Sequence, residues 1–327
     1  MMPDEDKNSY YNIRNKIVDS VIYDDYGGKA IIYDLFIRSG KVYFISSFWS
    51  PIQPTFRLKI KDVKLTEFGM NQQEPVRYFY GSVADMKILN IYINGNSHSI
   101  KPIIIKPLIK KHNFAIATLF KYETANMVLR FITYYRSQGC TMFYLYFNGN
   151  KIPDDLPIGL DIMYRVWDFP YFLVDTEYIH CAQSAFLTTV KLRHLGDCKF
   201  LALIDMDEFI YSLDESVNIV DYLSTVSDDY TVFKIENYWA KCPDTGGPIT
   251  YNSLGTGFVH RTKCIYRSNF KGHFAIHEPK KESGVNCKIY NCPALLLLHI
   301  TMLHKERDEL VKEPLLKTHL TLNTLIT

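Results

Sequence analysis

Three carboxylates stand at the end of an apolar run. The stretch 200–211 reads FLALIDMDEFIY, so five apolar residues lead into Asp205, Asp207 and Glu208. Residues two apart in an extended segment project to the same side, so Asp205 and Asp207 can face one small volume. Carboxylates that share a volume repel each other, and a divalent cation with oxygen ligands, Mg²⁺ or Mn²⁺, is their natural counter-charge. The alternative is that these acids cap the next helix or pair with Lys and Arg, since so short a pattern also arises by chance.

Histidines provide further candidate ligands. ALLLLHITMLH is an apolar run that ends at His299, with His304 further on. An imidazole in that position is either a metal ligand or a hydrogen-bonded core side chain. His273 and His277 form another pair, but the Glu that a helical zinc protease motif requires after its first His is missing.

The elements that position these groups alternate between strand and helix patterns. FAIATLF and TMFYLYF are apolar runs typical of buried strands, and between them a segment with helical spacing opens at Thr124 and is stopped by Gly139. This pattern predicts a β-α-β unit.

The same alternation continues along the chain. LDIMYRVW predicts another strand, a helical stripe runs from Asp175 to about Gly196, and FLALI then enters the sheet. We therefore expect an α/β fold with a mostly parallel sheet flanked by helices. Ligands bind beyond the carboxyl ends of the strands in such sheets, and Asp205 would lie at such an end.

The amino-terminal third has a different character. Up to about Pro107 it consists of short β-like runs separated by turn signals such as Gly27-Gly28. Regular short strands without helices predict an all-β, sandwich-like accessory domain over residues 1–108, followed by the α/β domain over residues 109–327. The accessory domain is interpreted as a structural cap, with a sugar-binding module as the alternative.

Composition narrows the class of partner. The net charge of +2, from 37 Lys and Arg against 35 Asp and Glu, gives no broad basic surface, so we expect no nucleic-acid partner. The seven cysteines show no C-x-x-C spacing, which disfavours a disulfide framework or a zinc knuckle. The polar start MMPDEDKNSYYN is unlike a signal peptide, and no run approaches the ~20 apolar residues of a membrane span. These features predict a soluble, cytoplasmic chain.

Four blocks in the same order resemble the family 92 glycosyltransferases. HCAQSAFLTTVKLRHLGDCKFLALIDMDEFI resembles that family's central block, in which a Gln-bearing helix runs into a strand ending in Asp-x-Asp-Glu-Phe. FAIATLFKYETANMVLRFITYYRSQGCTMFYLYFNGN is similar to its first β-α-β unit. RTKCIYR with FAIHEP resembles its basic strand and His-bearing loop, and LLLLHI its terminal strand and histidine. The resemblance covers about residues 112 to 305.

The resemblance implies a GT-A fold and inverting transfer of a sugar, most commonly galactose, from a UDP-sugar to a glycan or glycoprotein acceptor. It implies Mn²⁺ or Mg²⁺ as the cofactor. The positions carried over for the metal are Asp205, Asp207 and His299, and those for the nucleotide sugar are Lys121, Glu123, Gln183, Asp205, Glu208 and His277.

Transfer also needs a base that takes the proton from the acceptor hydroxyl. Asp244 and Glu278 are the candidates in expected loops. Two other classes stay open. One is a non-catalytic carbohydrate-binding or structural protein, and the other is a metal-dependent phosphohydrolase, whose motif would need Thr at the position of Phe209.

Overall fold

The computed structural model describes a chain with large sheets and few helices. The described residues are 22–23, 30–47, 58–60, 63–68, 76–83, 88–93, 96–109, 111–169, 171, 181–241, 248–252, 262–275, 277–279, 287–300 and 315–321. The chain forms two compact units. The first comprises Met1–Ile109, Phe147–Ile152 and Tyr164–Arg193, and the second Lys110–Tyr146, Pro153–Met163 and His194–Thr327.

The described helices are α1 (Ala125–Ser137), α2 (Cys181–His194) and α3 (Ile219–Thr225), with a 3₁₀ turn at Leu195–Asp197. The predicted limits of α1 are confirmed, because Thr124 is its N-cap and accepts a hydrogen bond from the Met127 amide at 3.4 Å. Gly139 follows the helix with φ of 85°, a conformation that favours glycine. The predicted start of α2 at Asp175 lies outside the described residues. None of the described helices is long and apolar enough to cross a membrane.

The first unit contains two sheets. Its strands are β1 (Ile22–Tyr23), β2 (Ala30–Arg38), β3 (Lys41–Ser47), β4 (Leu58–Ile60), β5 (Thr66–Phe68), β6 (Val76–Ser82), β7 (Leu89–Ile93), β8 (Asn96–Ile100) and β9 (Ile103–Ile105). One sheet has the order β1-β2-β3-β6-β5, with β9 also paired to β2, and the other has the order β4-β7-β8. A single cluster of buried apolar side chains includes Leu35 and Phe44 from the first sheet and Ile60 and Ile91 from the second. The β-rich character of this region is confirmed, and its sandwich arrangement stays a prediction.

A buried ionic cluster also lies in the first unit. Asp34 on β2 is fully buried and receives hydrogen bonds from Arg165 at 2.6 Å and from Arg193 at 2.5 and 2.7 Å. Burial opposes ionisation of Asp34, but the two guanidinium groups and their hydrogen bonds hold its pKa below the usual value.

A third, ten-stranded sheet carries the candidate site. Its strands are β10 (His112–Phe120), β11 (Met142–Phe147), β12 (Ile162–Val166), β13 (Cys198–Leu203), β14 (Glu208–Ser212), β15 (Val232–Lys241), β16 (Pro248–Asn252), β17 (Lys263–Arg267), β18 (Ile289–Ile300) and β19 (Leu315–Thr321). Their order is β12-β11-β10-β13-β17-β15-β16-β19, and β18 pairs with both β14 and β15. The strands predicted from FAIATLF, TMFYLYF, LDIMYRVW and FLALI are confirmed.

The prediction of a mostly parallel sheet is wrong. Among the described pairings with a defined register, β10 with β13 and β15 with β18 are parallel, whereas the five others are antiparallel. Parallel neighbours need a long crossover connection, usually a helix. After β13 the described chain has one helix, α3, of seven residues, so strand and helix no longer alternate there.

Candidate active site

Two parallel strands bring the candidate residues to one edge of the sheet. β10 and β13 are in register, with Ala117 opposite Leu203, so the segments that follow them leave the sheet at the same edge. Lys121 and Glu123 follow β10, and Asp205 follows β13. β17 runs antiparallel to β13, and therefore its first residue, Lys263, lies at this edge as well.

Asp205 faces a lysine. The Lys263 ammonium donates to Asp205 Oδ2 at 2.5 Å and lies 3.1 Å from Glu208 Oε2. The Lys263 side chain is 5% exposed and that of Glu208 is 2% exposed, whereas Asp205 keeps 40% of its side chain exposed. A buried ammonium thus lies between a buried carboxylate and one that is open to solvent, which is the ionic alternative that the sequence left open for Asp205.

Asp207 faces a histidine. His299 Nε2 donates to Asp207 Oδ2 at 2.9 Å, and His299 Nδ1 lies 3.7 Å from Glu208 Oε1. The strand register explains this meeting, because His299 on β18 is opposite Glu208 on β14. On its other side His299 is in register with Trp239 of β15, and the two rings have centroids 4.4 Å apart. The imidazole is therefore held between a carboxylate pair and an indole.

Hydrogen bonds hold the backbone of the turn that runs from Asp205 to Glu208. The Glu208 amide donates to the Asp205 carbonyl at 3.1 Å, and Glu208 Oε2 accepts from the Asp205 amide at 2.9 Å. The Ile300 amide donates to the Asp207 carbonyl at 2.8 Å, which joins the turn to the end of β18. These bonds fix both aspartates relative to β14 and β18.

Two tyrosines of α1 hold the other edge of β14. The Tyr135 hydroxyl donates to the Glu208 carbonyl at 3.0 Å and accepts from the Ile210 amide at 2.9 Å, and the Tyr134 hydroxyl donates to the Ile210 carbonyl at 2.5 Å. Phe209 between them stacks on Tyr135, with the rings 3° from parallel. The helix thus satisfies backbone groups that a neighbouring strand would otherwise pair.

Burial and charge act in opposite directions on the acids. Burial raises the pKa of Glu208 above its usual value, with Lys263 opposing the shift and Asp205 adding to it. Burial also opposes ionisation of Asp207, but its hydrogen bond and attraction to His299 hold its pKa below the usual value. Burial lowers the pKa of His299, yet the contacts with Asp207 outweigh it and raise that pKa overall.

Glu123 belongs to the same electrostatic group. Its Oε2 accepts hydrogen bonds from the Lys121 amide at 2.7 Å and from the Tyr122 amide at 2.9 Å. Burial raises the pKa of Glu123, the backbone hydrogen bonds oppose that shift, and the charge of Asp207 adds to it. The negative charge of Asp207 therefore contributes to the raised pKa of Glu123. The Lys121 ammonium lies over the Tyr122 ring, 5.2 Å from its centroid.

Glu278 and His277 have other partners in the structure. The Glu278 carboxylate is ion-paired with Lys234. Because Lys234 is in register with Cys264, the residue after Lys263, its side chain leaves the sheet on the opposite face from Lys263. His277 Nδ1 lies 3.2 Å from the Thr262 carbonyl.

Three further residues complete the set of candidates. Gln183 is half-buried on α2 and belongs to the first unit. Asp244 and His304 lie outside the described residues.

The side chains at this edge differ in how well they suit a divalent cation. In the described part of the chain, no three or more His, Cys, Asp or Glu side chains form a group that could hold a metal ion. Asp205 and Asp207 instead contact Lys263 and His299. The donor types do suit Mn²⁺, since two carboxylates and an imidazole 2.9 Å from one of them are typical ligands. The donor types therefore suit the cation, whereas their present arrangement is paired with Lys263 and His299, and binding of a cation would replace those contacts.

Sequence reasoning missed Lys263 and the two tyrosines. Lys263 stands in RTKCIYR, which was noted only as a basic strand, and its partner Asp205 is 58 positions away. Tyr135 matches the apolar stripe of α1 and Tyr134 is next to it, and neither carries a signal that its hydroxyl reaches β14. The Lys263 contact depends on strand register and the tyrosine contacts depend on how α1 packs against β14, and the sequence pattern leaves both open.

Comparison with known proteins supports the resemblance over part of the chain. Residues 159–300 match the model of glycosyltransferase family 92. The matched stretch includes Asp205, Asp207, Glu208, Lys263 and His299 and ends before Thr301. This match supports glycosyl transfer as the general activity.

The other comparisons add little. No curated protein matches the chain significantly. Among solved structures, the chain is similar to the apo structure of WbbM, a bifunctional glycosyltransferase, with 11% sequence identity and a TM-score of 0.27. The similarity covers 47% of this chain and 27% of that one, so the chain spans about a quarter of that protein's length.

Proposed function

We propose that the chain is a metal-dependent glycosyltransferase that moves a sugar from a UDP-sugar to a hydroxyl of a glycan or glycoprotein. Galactose is the first choice of sugar, and the transfer inverts the configuration at the anomeric carbon. The observation that carries this proposal is the group at the edge where β10 and β13 end. There Asp205, Asp207 and Glu208 are held by Lys263 and His299 within the stretch that matches family 92. Ligands of open α/β sheets bind beyond the carboxyl ends of the strands, and β10 and β13 both end here.

Asp205, Asp207 and His299 would hold Mn²⁺ or Mg²⁺. A bound cation would supply Lewis acidity toward the leaving diphosphate, whose negative charge grows during transfer. Asp205 is the most open of the three acids, with 40% of its side chain exposed against 14% for Asp207. Asp205 is therefore the acid that a ligand from solvent meets first.

The remaining residues position this group. Glu208 accepts from the Asp205 amide and contacts both Lys263 and His299, so it fixes the two cationic side chains relative to the turn. Glu123 accepts from two successive backbone amides after β10 and thereby holds this loop, and the charge of Asp207 contributes to raising its pKa. We assign Lys121 to the nucleotide side of this loop, where an exposed ammonium can meet phosphate oxygens.

The base is proposed from two candidates. Inversion needs a base on the face opposite the leaving group. Glu278 would have to leave Lys234 to act. We therefore expect a larger loss of kcat from Asp244→Asn than from Glu278→Gln, and a base typically contributes 10²- to 10⁴-fold. Steady-state kinetics of the two variants with UDP-galactose and an acceptor series would assign the role, and a larger loss from Glu278→Gln would reverse it.

Two experiments test the proposed function. The purified chain is titrated with UDP, GDP and CMP, each with Mn²⁺ and with EDTA, and UDP-galactose turnover is followed by NMR. We expect UDP to bind best with Mn²⁺ and the product to have the inverted anomeric configuration. Asp207→Asn should abolish the Mn²⁺-dependent part of binding. Asp214→Asn is the matched control, because Asp214 is exposed and bonds to Ser216 beyond β14.

Other outcomes separate the alternatives. Failure to bind Mn²⁺ and every nucleotide would favour a non-catalytic carbohydrate-binding or structural protein. Release of inorganic phosphate from UDP, with the sugar acceptor irrelevant to the rate, would favour a phosphohydrolase. Retained turnover at the wild-type rate in Asp207→Asn would rule out the metal assignment.

A further inference from the structure

Lys263 is the most deeply buried cationic side chain in contact with the acids of the candidate site. Its side chain is 5% exposed, and its ammonium contacts Asp205 Oδ2 at 2.5 Å and Glu208 Oε2 at 3.1 Å. A buried charge is retained only when it is paired and hydrogen-bonded, and both conditions are met here. Neither the motif nor the family resemblance assigned this residue a role.

We propose that Lys263 is the fixed cation of the site, whose charge lowers the affinity of the acids for a divalent cation and raises the affinity for the anionic diphosphate of the donor. This inference rests on the proposed function. Lys263 is thus a positioning residue whose charge lowers the affinity for the cation and raises the affinity for the diphosphate.

The charges explain the two signs. Three carboxylates, those of Asp205, Asp207 and Glu208, meet at this edge, and Lys263 places one positive charge among them. Without that charge the local field becomes more negative. A more negative field attracts Mn²⁺ more strongly and repels UDP more strongly, because Coulomb interactions in a partly buried site are weakly screened.

A purely structural role predicts a different result. If Lys263 only holds Asp205 and Glu208 in place, its loss disorders the acids and weakens binding of both ligands together. The direction of the two affinity changes, measured separately, therefore distinguishes the electrostatic role from the structural one.

The test uses the full chain with Lys263→Met, Lys263→Gln and Lys263→Arg. Calorimetry measures Mn²⁺ binding without nucleotide and UDP binding in EDTA. For the Met and Gln variants we expect Mn²⁺ to bind at least tenfold tighter and UDP at least tenfold weaker. The Gln variant keeps an amide that can donate to the carboxylates, so it covers the case in which the Met variant does not fold. Arg keeps the charge, and both affinities should stay within about threefold.

Lys234→Met is the matched control. Lys234 is also paired with a glutamate and is on the neighbouring strand, but its side chain lies on the opposite face of the sheet. Both affinities should be unchanged in this variant. Weaker binding of both ligands in the Gln variant, or changes below threefold in both, would overturn the inference while leaving the proposed function intact. Absence of Mn²⁺ and UDP binding in the wild-type chain would overturn both.

Discussion

Replacing Tyr135 by Phe should destabilise the protein through two lost hydrogen bonds. The hydroxyl donates to the Glu208 carbonyl and accepts from the Ile210 amide, at 3.0 and 2.9 Å, and the side chain is fully buried. Phe keeps the ring that stacks on Phe209, so the packing is preserved. Each buried backbone group left without a partner costs about 1–3 kcal/mol. With partial relaxation we expect the free energy of unfolding to fall by about 2–4 kcal/mol.

Tyr134→Phe provides a graded comparison. Its hydroxyl makes one of these bonds, to the Ile210 carbonyl at 2.5 Å, so its loss should cost about 1–2 kcal/mol. Tyr122→Phe is the control, because Tyr122 is 85% exposed. Its unfolding free energy should change by less than about 0.5 kcal/mol.

Urea unfolding followed by tryptophan fluorescence measures all three variants. With a slope of about 3 kcal/mol per molar urea, the midpoint for Tyr135→Phe should fall by about 1 M. A loss below about 0.5 kcal/mol in Tyr135→Phe, or a larger loss in Tyr134→Phe, would refute the idea that the two hydroxyls replace a neighbouring strand.

Further predictions concern the ionic groups. Asp34→Asn should cost about 3–5 kcal/mol of unfolding free energy in urea, because it leaves the buried guanidinium groups of Arg165 and Arg193 without a carboxylate. The folded-state pKa of Asp34 is below its usual value, so its contribution is present above about pH 3.8 and is lost as the pH falls through the folded pKa. The difference in unfolding free energy between wild type and Asp34→Asn should therefore become smaller as the pH falls. A difference that is independent of pH would contradict the ion pairing of Asp34 with the two arginines. Asp161→Asn removes a half-exposed ion pair with Arg136 and should lower the unfolding free energy by less than about 1 kcal/mol in the same assay. A loss equal to that of Asp34→Asn would show that burial does not determine the contribution of these ion pairs.

Local signals in the sequence were sufficient for some parts of the site. Thr124 and Gly139 marked α1 because capping and helix termination depend on adjacent residues. The apolar run before Asp205 marked β13 as a buried strand. These features lie within one element, where periodicity and capping apply directly.

Some contacts between distant strands could not be predicted. The sequence placed Asp205 and Asp207 at a strand end and the resemblance grouped them with His299, but neither showed that Lys263 would pair with Asp205 and Glu208. Those pairs depend on which strands are neighbours and in which register, and a one-residue shift would reverse the faces. The same reason explains the error about the parallel sheet, since strand direction after β13 depends on tertiary pairing.

Glu208 contacts both cationic side chains of this site, Lys263 and His299. Its Oε2 contacts Lys263 and the Asp205 amide, and its Oε1 faces His299. A carboxylate that is 2% exposed is poorly placed to meet a ligand from solvent, whereas Asp205 is open. The three acids of the motif therefore divide their tasks: the two aspartates present oxygens at the edge, and the glutamate behind them sets the position of the cations that hold them. Shortening Glu208 to Asp would keep the charge and withdraw it from both cations, so the two aspartates would lose their alignment together.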